Sequence, residues 1–152
     1  MYSKILVPLD GSDTAERGLQ EAIRLATGQK QPATLILLHV VHDLSMTVEM
    51  SIAAQAGEAF VSLQRYGEEM LAKAGVAAAA AGLRSEAVLR VVRRGRVADL
   101  IVAEADKLGC ELIAMGTHGR RGWSRLTMGS DAALVLQASQ VPVLLVRAAA
   151  AE

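Results

Sequence analysis

Aromatic side chains are scarce in this chain. One Trp, one Phe and two Tyr make up 3% of its 152 residues, so the core must be built from Val, Leu, Ile, Ala and Met. That composition suits helices packed closely on a sheet better than an aromatic-rich sandwich. Cysteine is as scarce. The single Cys110 excludes an intramolecular disulfide and argues against a thiolate metal site; it reads as a small buried residue. Net charge is missing too: 16 basic against 16 acidic side chains speak against nucleic-acid binding driven by overall charge. No apolar run approaches the roughly 20 residues that span a bilayer. Met1-Tyr2-Ser3-Lys4 leads straight into an apolar run without a signal-peptide pattern. The expectation is a soluble, cytoplasmic protein.

What is present is apolar and regularly punctuated. At 52% hydrophobic residues, the chain can close one ordinary core and is not disordered. Ile5-Leu6-Val7-Pro8-Leu9 and Thr34 to Val41 are continuous apolar runs, as expected of strands covered on both faces. Between them Ala15, Leu19, Ala22, Ile23 and Ala26 share a helical face, with Ser12 or Asp13 as N-cap, Glu16 placed for a capping box, and Gly28 as the stop. His42 to Met50 shows no period. A longer helix follows through Phe60, Leu63, Gly67, Met70, Leu71 and Ala74 into the alanine run before Gly82. Ala87 to Arg93 reads as a more polar strand, nearer a sheet edge. Val97 to Leu108 reads as a helix ended by Gly109, Leu112 to Met115 as the fourth strand, Ala132 to Leu136 as part of a fourth helix, and Val143 to Val146 as the last strand, with Pro142 at its start. This βαβαβαβαβ order, without repeat or linker, predicts an α/β fold with helices on both faces of a parallel sheet.

The fourth strand runs into Gly116-Thr117-His118-Gly119-Arg120-Arg121-Gly122-Trp123-Ser124-Arg125 and restarts as a helix at Gly129-Ser130. A strand that ends in glycines and feeds a helix start can hold phosphate: the backbone approaches closely, N–H groups converge, and the helix terminus adds positive potential. Asp10 follows the first strand. If the first and fourth strands are neighbours, a carboxylate and a phosphate loop face one crevice.

Gly116-x-x-Gly119, nine residues, then Gly129-Ser130 resembles the nucleotide-binding pattern of the ATP-binding universal stress proteins. Val7-Pro8-Leu9-Asp10-Gly11-Ser12, Leu37-Leu38-His39-Val40 and Val141-Pro142-Val143-Leu144-Leu145-Val146 match as well, so the resemblance covers essentially the whole chain in one copy. It implies one domain over residues 1–148 with a short tail at 149–152. It also implies a three-layer α/β/α architecture, adenine nucleotide alpha-hydrolase-like, with a five-stranded parallel sheet in the order 3-2-1-4-5. It implies ATP with Mg²⁺ or Mn²⁺ bound through the phosphates, and a homodimer through the last strand, Val143 to Val146. Carried over by position, Pro8, Leu9 and Asp10 would line the adenosine side, with Asp10 accepting from the ribose hydroxyls. Val40 would face the adenine edge, and Met115 and Gly116 would pack near adenine and ribose. His118, Gly119, Arg120, Gly129, Ser130 and Asp131 would surround the phosphates. Asp131 departs from the apolar or hydroxyl residue common there, and its carboxylate repels phosphate unless a cation intervenes or only its N–H faces the ligand.

Each position has a plainer structural reading. Gly116 and Gly119 can be turn glycines, Ser130 an N-cap, Asp10 a cap of the first helix, His39 a hydrogen-bonded core histidine, His118 a loop staple, and Arg120, Arg121 and Arg125 a solvated face. Four functions follow: a nucleotide-binding stress or regulatory module that hydrolyses ATP slowly or not at all, a true ATPase or nucleotidyl-transfer enzyme, a receiver-type or flavodoxin-like signalling domain, or an interaction module without nucleotide. The loop lacks the Gly-Lys-Ser/Thr ending that gives a P-loop its phosphate lysine, which weakens the second. A receiver-type signalling domain lacks the needed acidic cluster, since the third strand ends in Arg93-Arg94-Gly95.

Overall fold

The computed structural model describes residues 1–43, 53–118 and 128–147. Five strands, β1 (Lys4–Pro8), β2 (Thr34–His42), β3 (Ser85–Val92), β4 (Leu112–Gly116) and β5 (Val143–Val146), alternate with four helices, α1 (Asp13–Thr27), α2 (Ala53–Ala80), α3 (Val97–Lys107) and α4 (Ser130–Ala138). All the strand pairs are parallel, in the order β3-β2-β1-β4-β5. The more polar β3 lies at an edge, as its sequence predicts.

The unbroken apolar runs occupy the middle of the sheet because both faces are covered. Strand alternation then divides them. Ile5, Val7, Leu35, Leu37 and Ala114 pack with Leu19, Ala22 and Ala26 of α1 and Leu71, Ala74 and Ala78 of α2. Leu6, Ile36, Leu38, Ile113 and Met115 pack with Ala98, Ile101 and Ala105 of α3 and Ala132 and Val135 of α4. Helices cover both faces, which gives the three layers. Cys110 is buried in the second cluster, and burial pushes its thiol up to about 11.

Helix α1 is capped by Ser12, whose hydroxyl accepts from the Ala15 N–H. Glu16 therefore stands one position past the capping-box site, and its carboxylate accepts from Gln20 instead. The buried stripe of α1 includes Gly18 beside the alanines. A Cβ on Gly18 would stand 3.3 Å from Met115 C and Gly116 N, so small residues set how closely α1 approaches β4. His42 extends β2, and α2 starts at Ala53, seven residues before Phe60. The aperiodic segment after His42 falls, from residue 44 on, outside the described residues.

One buried charge ties β3 to α3. Glu104 accepts two hydrogen bonds from Arg90, at 2.9 Å each. This pairing holds its carboxyl below the ordinary value of 4.5, outweighing burial. The folded state thus releases this proton more readily than the unfolded chain does. The pair stabilises above the unfolded value, and the effect is lost as pH falls through the folded one. Glu104→Gln is expected to cost roughly 1–2 kcal/mol at neutral pH, a charged hydrogen bond discounted because Arg90 is 35% exposed. The difference should shrink as pH falls through the folded value, as read by urea denaturation across that acid range.

Candidate functional site

The strand order turns at β1, which has β2 on one side and β4 on the other. Successive chain connections leave this point in opposite directions, so the loops beyond β1 and β4 part and leave a crevice. A cleft of about 720 Å³ opens there. Pro8, Leu9, Asp10, Val40, Met115, Gly116, His118, Gly129, Ser130 and Asp131 all line it. They come from β1 and its exit, β2, β4 and its exit, and the start of α4. Gly119 and Arg120, with Arg121, Trp123 and Arg125, lie outside the described residues.

On the β1 side, Leu9 donates its N–H to the Leu38 carbonyl at 2.8 Å. Asp10 Oδ1 accepts from the Ser12 N–H at 2.9 Å and from the Ser12 hydroxyl at 2.6 Å. Asp10 is thus not the helix cap itself but the anchor of the capping serine. Gly11 makes this turn at φ +80°, a conformation that glycine adopts without strain. His39 donates from Nδ1 to the Leu9 carbonyl at 2.7 Å, so the strand histidine is a hydrogen-bonded one that also lines the cleft.

On the β4 side, the glycine at 116 is required by packing. A Cβ there would stand 2.7 Å from Thr14 C and 2.8 Å from Thr14 O and Cβ. The backbone beyond it is tied in three directions. Thr117 donates its N–H to Val146 O at 2.9 Å and accepts from the Gly129 N–H at 2.7 Å. Thr14 donates its hydroxyl to the His118 carbonyl. The Thr117 hydroxyl pairs with His118 Nδ1 at 2.9 Å. His118 is therefore stapled by its main chain and by one ring nitrogen, while Nε2 is buried with no hydrogen-bond partner among the described residues. A buried nitrogen of that kind leaves one polar contact unmade.

Gly129, not Ser130, is the N-cap of α4, and it contributes no capping side chain. The first N–H groups of the helix thus receive no acceptor from the N-cap side chain itself. Ser130 and Asp131 occupy the first turn beside the cleft. Among the described residues, no group of three His, Cys, Asp or Glu side chains is placed to hold a metal ion.

Thr14, Thr117, His39, Leu63, Tyr66, Val97 and Ile101 were not singled out by the sequence as site residues. Thr14 and Thr117 fix the backbone, and the others line the cleft. For the threonines, a hydroxyl beside each expected site segment is the only sequence signal.

Fold and crevice together define an open parallel α/β protein with a cleft at its switch point. Comparison with known proteins narrows that class. The chain belongs to the universal stress protein family, whose model matches residues 1–147. Universal stress protein YxiE of Bacillus subtilis (strain 168) is 31% identical over 97% of this chain and 100% of its own. The solved structure of MJ0577, a universal stress protein of Methanocaldococcus jannaschii, is 26% identical with a TM-score of 0.84 and covers 99% of each chain. A universal stress protein solved in complex with cAMP is 25% identical with a TM-score of 0.69, covering 97% of this chain and 98% of its own.

Proposed function

We propose that this chain binds an adenine nucleotide, ATP in the first place, in the cleft between the β1 and β4 exits, and serves as a stress-response or regulatory protein. The observation that carries this reading is the convergence of ten expected positions on one cleft at the switch point. A glycine-capped helix start at its phosphate end adds to it. The relative held in complex with cAMP supports the adenine class.

In this reading Pro8, Leu9, Val40 and Met115 enclose the base, and Asp10 accepts from the ribose hydroxyls. The N–H groups at the start of α4 and His118 beside them meet the phosphates. A divalent cation, Mg²⁺ or Mn²⁺, enters with the phosphates, and Asp131 in the first turn of α4 faces it rather than bare phosphate. The bound cation would neutralise phosphate charge; this chain's own part is to place the nucleotide. Among the described residues, His118 and Asp131 are the side chains at this end of the cleft that could position an attacking water, which favours slow turnover at most. The protein acts in the cytoplasm as a homodimer joined through β5, an edge strand with unpaired backbone groups on one side. A slow ATPase and an interaction module without nucleotide are the competing readings.

Calorimetric titration of nucleotide-stripped protein with ATP and Mg²⁺, with AMP as control, is the test. Micromolar binding that weakens when the γ-phosphate is removed is expected. Failure of both nucleotides to bind would leave the glycine motif as a structural turn and favour the interaction module.

A further inference from the structure

A second cavity, of about 460 Å³, lies between the start of α1 and the middle of α2. Leu9, Ala15 and Tyr66 line both this cavity and the larger cleft. Tyr66 is the α2 side chain common to the two. Next to it, buried Gly67 seats α2 on β2 and β3: a Cβ there would run into the His39 ring and stand 2.9 Å from Leu89 Cδ1. At the far end of the ring, a Cβ on Gly11 would stand 2.5 Å from the Tyr66 hydroxyl. The phenol thus abuts the turn that carries Asp10.

The geometry points to Tyr66 as the partition between the nucleotide cleft and an annex, and hence as a determinant of which adenine nucleotides fit. The inference rests on the reading above, which puts the ribose at Asp10. A bulky group on a ribose hydroxyl is then directed at Gly11 and the ring beside it. With the ring in place such a nucleotide is excluded. With the ring cut back, the group enters the annex, whose floor offers Met70, Ala74 and Ala77 and whose rim carries Glu69 and Lys73. That lining takes an apolar or aromatic ester better than a second phosphate, since Asp13, Glu16 and Glu69 outnumber Lys73.

The experiment compares Mg²⁺-ATP with its 2′(3′)-O-(N-methylanthraniloyl) ester on wild type, Tyr66→Phe and Tyr66→Ala. The readout is the ratio of the two Kd values, because losing the ring also removes a contact to ATP itself. Wild type and Tyr66→Phe are expected to prefer ATP, and Tyr66→Ala to shift the ratio towards the ester by about tenfold, the scale of a steric change in a pocket. Tyr66 is 42% exposed, so truncation removes little core; Tyr66→Leu provides a second, smaller opening. An unchanged ratio in both variants, with ATP still bound, overturns the partition and leaves the nucleotide reading standing. A wild type that binds neither compound overturns both.

Discussion

Gly116→Ala is expected to destabilise the protein by roughly 3 kcal/mol, the upper range for forcing a methyl into a packed interior. Two of the three atoms that a Cβ would meet within 2.8 Å are backbone atoms of Thr14. A side chain can rotate away from such a contact, but a helix backbone must move as a body. Relief therefore means lifting the first turn of α1 off the end of β4, and with it the Thr14–His118 tie. For a chain of this length that corresponds to a fall in melting temperature of about 6–12 °C. Gly57→Ala is the control. Gly57 lies in α2 with nothing within 4 Å of an added Cβ, so alanine there should stabilise by up to about 1 kcal/mol. Equal effects from the two substitutions, measured by calorimetry, would show that the packing at Gly116 is not what requires glycine.

Asp10→Ala should weaken ATP binding by roughly 10–100-fold, the loss of a charge-assisted hydrogen bond to the ribose. The same carboxylate anchors Ser12, the cap of α1, so the substitution should also cost about 1 kcal/mol of stability. Ser12→Ala separates the two effects, because it removes the cap and keeps the carboxylate. It should match the stability loss without the affinity loss. A destabilised Asp10→Ala protein with full affinity would make Asp10 a scaffold residue and remove the ribose assignment.

Much of the fold was legible because parallel strands buried on both faces appear as unbroken apolar runs, and glycines mark their ends. The Ile5 and Leu35 runs, the edge position of β3 and the Gly28 stop follow from that physics. The start of α2 was not legible, for the matching reason. Between Gln55 and Tyr66 no residue is buried, so no apolar period records where the helix begins. That the described candidate positions would gather at one cleft was legible, since a glycine pattern and a carboxylate follow two strand ends. The reasons behind them were not. Gly116 reads as a turn glycine and is a packing glycine. Ser130 reads as a cap and follows one. Thr14 and Thr117 carry ties that shape the backbone, and a threonine in sequence gives no sign of the partner its hydroxyl will find, for Thr14 one 104 residues away. Tyr66 reaches the cleft only because the chain topology sets α2 beside the β1 turn.

The contact between Gly116 and Thr14 also bears on how such a cleft can change over generations. The floor of the site is made of backbone, and the same atoms seal the joint between α1 and the sheet. No side chain can be introduced there to adjust what the cleft accepts without opening that joint. Variation in ligand preference must therefore accumulate on the walls, at exposed positions such as Tyr66 and Asp131, which line the cleft and bear little of the interior. A lineage, or a protein engineer, can retune those positions one at a time, whereas the floor is inherited as a block.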